Sequence, residues 1–494
     1  MADFTLGQKT AQKSIPVVLN SDASPVTVVG EVEVKNDTGS SIPVSVGSLP
    51  LPAGAATAGN QATEITNLVE INDGIPASLG QAVMAASMPV VLPSDQSSLL
   101  FRLADSVQLD AFGRLRVSEP TSLFEAQFQY DSQPLLFSSS VGGGGAVAHN
   151  SNHASVDLSV GTTSGASAIF QTKLYFKYHA GKSQSIVFTG NFVAAKSGCR
   201  RRYGQFDATN GCFFEYETSP SVVVRTSTSG GVVDGGVPQS AWNLDKLDGT
   251  GASGVSLNLS LQQIFSIDYQ WLGTGRIRFG FTIGGKLIYC HEVNNANVLT
   301  LPYSQTATLP LRFEIVNTAT TSSATTSHVT CATIYSEGGF SPEGVARTTS
   351  TGLTLKAIAS SGKIPVLSIR KSTAGLKVPV QLIGTSMFCG SLDDLLITFN
   401  INAVLTGAVF TAVDSFVEQD RTATAMSGGT EIYSFYLKGT NTGGVAQLAE
   451  SFFDLANVSL GNSLSAVSDI MTVAAESLTG SANAAAVINF KELY

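Results

Sequence analysis

Alternation of apolar and polar residues, the pattern of a half-buried strand, is clearest in residues 264–289. Three alternating segments there are separated by two glycine-containing turns. Because tight glycine turns join neighbouring antiparallel strands, this stretch predicts a three-stranded meander. Loops are expected at 142–145 and 318–327, and together these signals predict a β-sandwich within residues 105–340. Other segments with the same alternation are 169–176, 184–188, 213–217, 222–226 and 311–316.

Residues 105–131 join this sandwich to a preceding segment of different character. Phe112–Gly113–Arg114 is predicted to be a turn between two short alternating segments, and Pro120 ends the second because proline cannot donate to a strand ladder. The apolar positions of the two segments are Val107, Leu109, Ala111, Leu115 and Val117. The side chains expected to begin the sandwich core are Leu123, Phe124, Phe128 and Tyr130.

The first 104 residues are apolar and punctuated by proline, with Phe4 and Phe101 as their aromatic residues. They contain a degenerate Ser-x-Pro-Val repeat, in which each copy is a short β-prone run opened by proline. The copies are residues 14–22, 41–46 and 87–96. An isolated strand pair is marginally stable in water, so the segment is predicted to be an extended arm that packs on another copy or on a neighbouring protein. Residues 62–86 have mixed helical spacing and predict a short helix.

Residues 341–494 continue the β pattern after a Ser/Thr/Gly-rich linker predicted at 348–354. Strands are predicted at 364–369, 378–383, 395–400 and 432–437. They form either a second β domain or additional strands of the first sandwich, and the pattern leaves both open. The predicted fold class is therefore all-β, with an extended N-terminal β arm at 1–104 followed by one or two β-sandwich domains.

Charged residues make up 13% of the chain, whereas about 25% is typical. With 48 glycines, this composition suits an all-β protein that buries surface against copies of itself. The net charge of −9 argues against nucleic acid as a partner, because phosphate contacts need a basic face. The basic cluster Arg200–Arg201–Arg202 is interpreted as an exposed strand end or an ion-pairing site.

The sequence shows neither a signal-peptide pattern nor an apolar run of about 18 residues, so we expect no cleaved leader and no membrane insertion. The cysteines lack CxxC spacing, which predicts buried, reduced thiols and not a zinc site. They are Cys199, Cys212, Cys290, Cys331 and Cys389.

Two sets of polar residues could hold an ion. His149 and His153 lie four residues apart in a glycine-rich segment, where a solvated loop is favoured over metal binding. Asn243, Asp245 and Asp248 could arrange oxygens for calcium. Their spacing is not that of an EF-hand, and a hydrogen-bonded turn is favoured.

Carboxylates for glycoside cleavage are the main enzymatic alternative, because that reaction needs two carboxyl groups about 5–9.5 Å apart. Glu215 and Glu217 share one strand face and Asp268 lies on another strand, but a solvated strand face is the favoured interpretation. Arg276 and Arg278 share the face opposite apolar neighbours, which predicts a position outside the sandwich or a salt-bridged subunit contact. The sequence therefore predicts no catalytic, cofactor or metal site.

Several motifs in fixed order resemble virion structural proteins of tailed bacteriophages. They are LDAFGRLRVSEPTSLFEAQFQYD at 109–131, RRRYGQFDATNGCFFEYE at 200–217, WNLDKLDGTGASG at 242–254, IDYQWLGTGRIRFGF at 267–281 and LPLRFEIVNT at 309–318. The Ser-x-Pro-Val repeats resemble the same group. The resemblance implies a tail fibre, baseplate or head appendage, usually trimeric, with concanavalin-like jelly-roll sandwiches. It carries over no binding residue.

We therefore expect a non-enzymatic structural protein of a phage virion, made in the host cytoplasm. It is expected to form a homotrimer, to contact other virion proteins through residues 1–104 and to expose its sandwiches, with host attachment as a further role. Two alternatives stay open: a glycan-binding adhesin module and a glycoside-cleaving tail depolymerase. The expected core or interface anchors are Trp242, Trp271, Phe279 and Tyr289.

Overall fold

The structure is a computed structural model. It describes residues 109–116, 119–340, 343–414, 416–440, 444–448 and 459–494, with 34–35, 41–42, Ala62 and Thr66 from the start of the chain. The chain forms two compact units, Met1–Ala104 and Asp105–Tyr494.

In the first unit, β1 (Val34–Lys35) and β2 (Ser41–Ile42) pair in antiparallel fashion. Ala62 and Thr66 are helical, and the remainder of the helix predicted at 62–86 lies outside the described residues. The repeats at 14–22 and 87–96, and the extended form predicted for the arm, also lie outside them.

The first sandwich of the second unit contains fifteen strands. They are β3 (Thr121–Gln127), β4 (Phe137–Gly142), β5 (Ala146–Asn150), β6 (Ser155–Val160), β7 (Ser167–Thr172), β8 (Gln184–Asn191), β9 (Cys199–Phe206), β10 (Gly211–Tyr216), β11 (Pro220–Thr226), β12 (Val233–Pro238), β13 (Gln263–Tyr269), β14 (Ile277–Ile283), β15 (Lys286–Val293), β16 (Leu311–Asn317) and β17 (Thr325–Ser336). A 3-10 turn, Gln239–Ala241, follows β12.

These strands form two antiparallel sheets. The seven-stranded sheet has the order β12-β11-β10-β9-β16-β7-β4, and the eight-stranded sheet has the order β15-β14-β13-β8-β17-β6-β5, with β3 also paired to β17. The meander predicted at 264–289 is β13-β14-β15. Strands distant in the chain, such as β8 and β17, lie side by side, so the sandwich closes only when both halves of the sequence are present.

Aromatic side chains fill the space between the two sheets. Phe188 and Phe265 stack with ring centroids 4.9 Å apart, and Phe214 of the opposite sheet lies 5.1 Å from Phe265. Burial of each such ring stabilises the fold by about 1.5–3 kcal/mol. Of the four expected anchors, Trp242, Phe279 and Tyr289 are buried and Trp271 packs against the core.

The second sandwich has its own strands and its own core. The strands are β18 (Val345–Ser350), β19 (Lys356–Ile358), β20 (Ile364–Lys371), β21 (Val380–Cys389), β22 (Leu395–Ile401), β23 (Val404–Thr406), β24 (Thr411–Ala412), β25 (Val417–Asp420), β26 (Ala425–Ser427), β27 (Thr430–Leu437), β28 (Gly444–Leu448), β29 (Ser459–Leu460), β30 (Ile470–Ser477) and β31 (Ala482–Glu492).

One sheet has the order β18-β31-β21-β28, with β19 on β31 and β29 on β21, and the other has the order β24-β25-β20-β30-β22-β27. Strands β23 and β26 form a separate ribbon. The core between the two sheets includes Leu367, Leu382, Phe399 and Phe490, and it forms a cluster separate from that of the first sandwich.

The all-β class with jelly-roll sandwiches is confirmed, and two local predictions need correction. Strand β17 begins at Thr325, inside the loop predicted at 318–327, and β18 includes Thr348, where a linker was predicted. Runs of Ser and Thr carry little periodicity, but β-branched Thr fits a strand once a neighbouring strand supplies hydrogen bonds.

In the segment 109–116 the predicted alternation produces only an isolated bridge between Leu109 and Leu115, and the predicted turn at Phe112–Gly113 lies between them. Val107 and Val117 lie outside the described residues. Phe124 and Phe128 are buried, as predicted, whereas Tyr130 is 89% exposed. The reason is that β3 ends at Gln127, so the alternation no longer applies at residue 130.

In the described part of the chain, no helix is long and apolar enough to cross a membrane. The five cysteines are unpaired thiols; Cys331 is half-buried and the other four are buried.

Candidate functional site

A network of arginines and carboxylates covers the outer face of the seven-stranded sheet. Its centre is Arg202, which is buried and contacts Glu215 at 2.6 Å, Asp234 at 3.1 Å and Glu314 at 3.4 Å. The Arg202 guanidinium also lies over the Phe213 ring, 5.1 Å from its centroid. The network continues through Arg200–Glu215, Arg225–Asp234 and Arg312–Glu314.

The run Arg200–Arg201–Arg202 is therefore an ion-pairing site and not an exposed strand end. Arg201 points to the other side of the strand and is fully buried. Its guanidinium donates four hydrogen bonds to backbone carbonyls. The hydrogen bond from Arg225 holds the pKa of Asp234 below its usual range.

The carboxylates considered for glycoside cleavage do not come together. Glu215 belongs to the arginine network, and Glu217 accepts a hydrogen bond from the Gly198 N–H at 2.7 Å. Asp268 lies on β13 of the other sheet, with its side chain directed away from the core. Packed sheets are about 10 Å apart between backbones, so side chains on opposite outer faces cannot act on one glycosidic bond.

Asp268 is the centre of a second buried network. Arg278, which is 1% exposed, donates to it at 2.7 and 2.9 Å, and Arg116 and the Tyr289 hydroxyl also bond to it. The segment 109–116 covers this network, because Arg278 also donates to the Leu109 carbonyl at 2.8 Å.

Arg276 and Arg278 lie on the outer strand face, as predicted, but Arg278 is buried there and forms an ion pair with Asp268 within the chain. Arg276 donates to the carbonyls of Asp110 and Ala111 and forms an ion pair with Glu292. These three contacts are also made within the chain. Sequence periodicity placed these arginines correctly on the outer strand face. It could not show that a distant segment covers that face.

The acidic segment at 243–248 forms a hydrogen-bonded turn, as predicted. Asp245 accepts backbone hydrogen bonds from Leu247 at 2.8 Å and Ser253 at 2.7 Å, and Asp248 accepts one from Thr250 at 2.9 Å. Asn243 exchanges hydrogen bonds with the backbone of Glu292. These oxygens are therefore occupied in holding the turn.

His149 and His153 do not form a common site, because their rings contact different parts of the fold. His149 lies on β5 and its Nε2 contacts the Phe128 carbonyl at 3.0 Å. His153, in the following turn, lies beside Asp157 and His328, which sequence spacing did not connect with it. His328 is on β17, and only the pairing of β17 with β6 brings it to this place.

A shallow pocket of 260 Å³ lies beside the end of β3. The side chains at its rim are mostly polar: Glu125, Gln127, Gln129, Tyr130 and Gln133, with Ala126 beneath them. Glu125 and Gln127 alternate outward along β3, and the turn that follows places the Tyr130 ring beside them.

Hydrogen bonds hold this pocket in shape. Gln133 donates from its side chain to the Gln127 carbonyl at 3.0 Å, and the Asp131 carboxylate accepts the Gln133 N–H at 2.9 Å. The Gln133 Oε1 is buried and accepts no hydrogen bond from the described residues. The pocket thus presents an exposed aromatic ring, a carboxylate and amide groups to solvent.

Comparison with known proteins identifies no family for the chain. No protein-family model matches the sequence, and no curated protein matches it.

Among solved structures, a glycosyl hydrolase family 16 protein from Mycobacterium smegmatis has 11% identity and a TM-score of 0.30, and the match covers 43% of this chain and 100% of that one. A legume lectin-like domain from Entamoeba histolytica has 10% identity and a TM-score of 0.28, with 44% and 99% covered. A putative β-glucanase from Mycobacterium abscessus has 11% identity and a TM-score of 0.31, with 43% and 100% covered. Similarities of this size assign no function to the chain.

Proposed function

We propose that this chain is a non-enzymatic structural component of a tailed-phage virion, and that its first sandwich binds carbohydrate of the host surface in the pocket around Tyr130. The exposed Tyr130 ring beside amide and carboxylate side chains is the observation that carries the binding function. The virion assignment is supported by the ordered motifs between residues 109 and 318.

Carbohydrate is the ligand class that fits this pocket. A sugar ring has an apolar C–H face that packs on an aromatic ring, and its hydroxyls both donate and accept hydrogen bonds. Glu125 and the glutamine side chains supply acceptors and donors at the rim. An open, shallow site of this kind suits one or two sugar units of a longer surface chain.

A non-enzymatic role is supported by the way in which the carboxylates are used. Glu215, Asp234, Glu314 and Asp268 each bond to a guanidinium, so they stabilise the sheets from within the chain. Glycoside cleavage needs one carboxyl group that can donate a proton and a second that faces the same bond. The Tyr130 pocket holds a single carboxylate, Glu125.

Replacing Tyr130 by alanine is expected to weaken glycan binding about tenfold, because it removes both the apolar area that the ring buries and a stacking contact worth about 0.5–1.5 kcal/mol. The measurement is binding of the full chain to an array of bacterial surface glycans, followed by affinities for the best ligand. Tyr436→Ala is the matched control, since Tyr436 is also exposed, at 71%, but lies on β27 of the second sandwich.

Equal loss of binding in the two variants, or full binding by Tyr130→Ala, contradicts the proposed site. Release of reducing sugar from a bound polysaccharide contradicts the non-enzymatic assignment and favours a depolymerase.

Assembly through residues 1–104 predicts that the full chain is a homotrimer and that a chain starting at Asp105 is a monomer. The shorter chain should begin at Asp105 because Leu109, Ala111 and Arg116 bond to the sandwich. Light scattering of both proteins measures their masses. If both are trimers, the sandwiches drive assembly; if both are monomers, the arm is expected to fold on a different virion protein.

A further inference from the structure

Three potential metal ligands meet at one end of the eight-stranded sheet. Asp157 on β6 lies directly opposite His328 on β17 in the strand register, and His153 lies in the turn between β5 and β6. The ligand atoms of the three residues lie within 4.8 Å of one another. His153 is exposed and the other two are half-buried, so an ion can reach the cluster from solvent.

The local fold positions each ligand. His328 Nδ1 is 2.7 Å from Asp157 Oδ1, and the two histidine rings are 5.6 Å apart and nearly perpendicular. Ala154 has a φ of 49°, in the left-handed region, and this reverses the chain so that His153 lies beside Asp157. In a tetrahedral zinc site, bond lengths of about 2.0–2.1 Å place the donor atoms about 3.3 Å apart. The present separations of up to 4.8 Å exceed that spacing, so the side chains must rotate towards the ion on binding.

Neighbouring side chains hold the Asp157 carboxylate by hydrogen bonds, as the groups around metal ligands do in metal sites. Asn150 Nδ2 donates to Asp157 Oδ2 at 2.8 Å, and Ser155 Oγ donates to Oδ1 at 2.7 Å. Burial alone raises the pKa of Asp157, but hydrogen bonds from Asn150, His328 and Ser155 outweigh burial and hold that pKa below its usual range.

We propose that His153, Asp157 and His328 bind a divalent transition-metal ion of the zinc class. Two imidazoles and one carboxylate are a ligand set that zinc accepts, and water completes the fourth position. The bound ion ties the β5–β6 turn to β17, so its role is to stabilise this end of the sheet. This proposal is independent of the carbohydrate pocket.

The test is titration of the full chain, without a histidine tag and after dialysis against a chelator, with Zn²⁺ by calorimetry and with Co²⁺ by visible absorption. We expect one equivalent of Zn²⁺ to bind and to raise the unfolding temperature, and Co²⁺ to give the absorption of a tetrahedral site. His153→Ala is expected to lower the Zn²⁺ affinity by at least about a hundredfold, since loss of second-shell partners alone costs 10–100-fold.

His149→Ala is the matched control, because His149 lies four residues away and its ring contacts the Phe128 carbonyl outside the cluster. It should bind Zn²⁺ as the unaltered chain does. Asp157→Asn keeps the size of the side chain and removes its charge, so it should weaken binding without loss of the fold. Unchanged affinity in His153→Ala, an equal loss in His149→Ala, or no binding up to about 1 mM overturns the proposal.

Discussion

Replacing Asp268 by alanine is expected to destabilise the first sandwich by about 3–5 kcal/mol, because it leaves the buried Arg278 charge without its carboxylate. Arg116 and the Tyr289 hydroxyl lose the same partner. The free energy of unfolding can be measured by urea titration with tryptophan fluorescence. Both tryptophans of the chain, Trp242 and Trp271, belong to this sandwich, so the signal reports its unfolding.

Two further variants separate the loss of the ion pair from the loss of a carboxylate in general. Glu125→Ala removes an exposed carboxylate from β3 and should change the unfolding free energy by less than about 0.5 kcal/mol. The double variant Asp268→Ala/Arg278→Met removes both charges and should recover part of the stability lost in Asp268→Ala. A loss below about 1 kcal/mol in Asp268→Ala would show that segment 109–116 does not shield the pair from water.

Replacing Arg201 by methionine is expected to cost about 3–5 kcal/mol, because it removes a donor from several carbonyls and a buried acceptor left unpaired costs about 1–3 kcal/mol. The guanidinium donates to the carbonyls of Phe192, Ala194, Tyr216 and Glu217 at 2.7–3.1 Å. The Glu217 carbonyl keeps the Lys196 N–H as a donor at 2.8 Å. Methionine fills a similar volume, so the loss of unfolding free energy measures the missing hydrogen bonds more than the cost of a cavity. The same urea titration measures it.

Arg200→Met is the matched control for this variant. Arg200 is the preceding residue, points to the outer face and lies 3.8 Å from Glu215 with a half-exposed side chain. Its replacement should cost less than about 1 kcal/mol. Arg201→Lys keeps the charge but lacks the planar fork of donors, and we expect an intermediate loss. If Arg200→Met is the more damaging change, the carbonyl contacts of Arg201 do not hold the strand.

The buried arginines change the interpretation of the low charge content. Arg202, Arg225 and Arg278 form ion pairs within the chain, whereas the sequence suggested a position outside the sandwich or a salt-bridged subunit contact for Arg276 and Arg278. The trimer hypothesis therefore depends on residues 1–104. The outer faces of the first sandwich's sheets are partly covered, and charged side chains buried on those faces are stable only when they are paired. The arginines supply the partners for the carboxylates there.

The strands with clear alternation were predictable, and the strands made of small residues were not. The meander β13-β14-β15 combines large alternating side chains with glycine turns, which are local signals. Strand β31, with the sequence ANAAAVINFKE, was missed, although it pairs with β21 from Ala484 to Glu492. Alanine has low strand propensity, so neighbouring strands and not local preference determine this conformation.

The candidate sites were less predictable than the fold. Tyr130 was predicted to begin the core together with Leu123, Phe124 and Phe128, but it lies in the turn after β3, which ends at Gln127, and it is exposed. Asp157 and His328 carry no mutual signal in the sequence, because they meet only through the register of β6 and β17.

The sequence by itself determined the all-β class, the meander and the aromatic core, because period-two alternation and turn residues act over a few neighbours. The tertiary structure alone decided which outer faces are covered, which charges are paired and which histidines meet. These properties depend on contacts between strands far apart in the chain, and such contacts leave no local pattern.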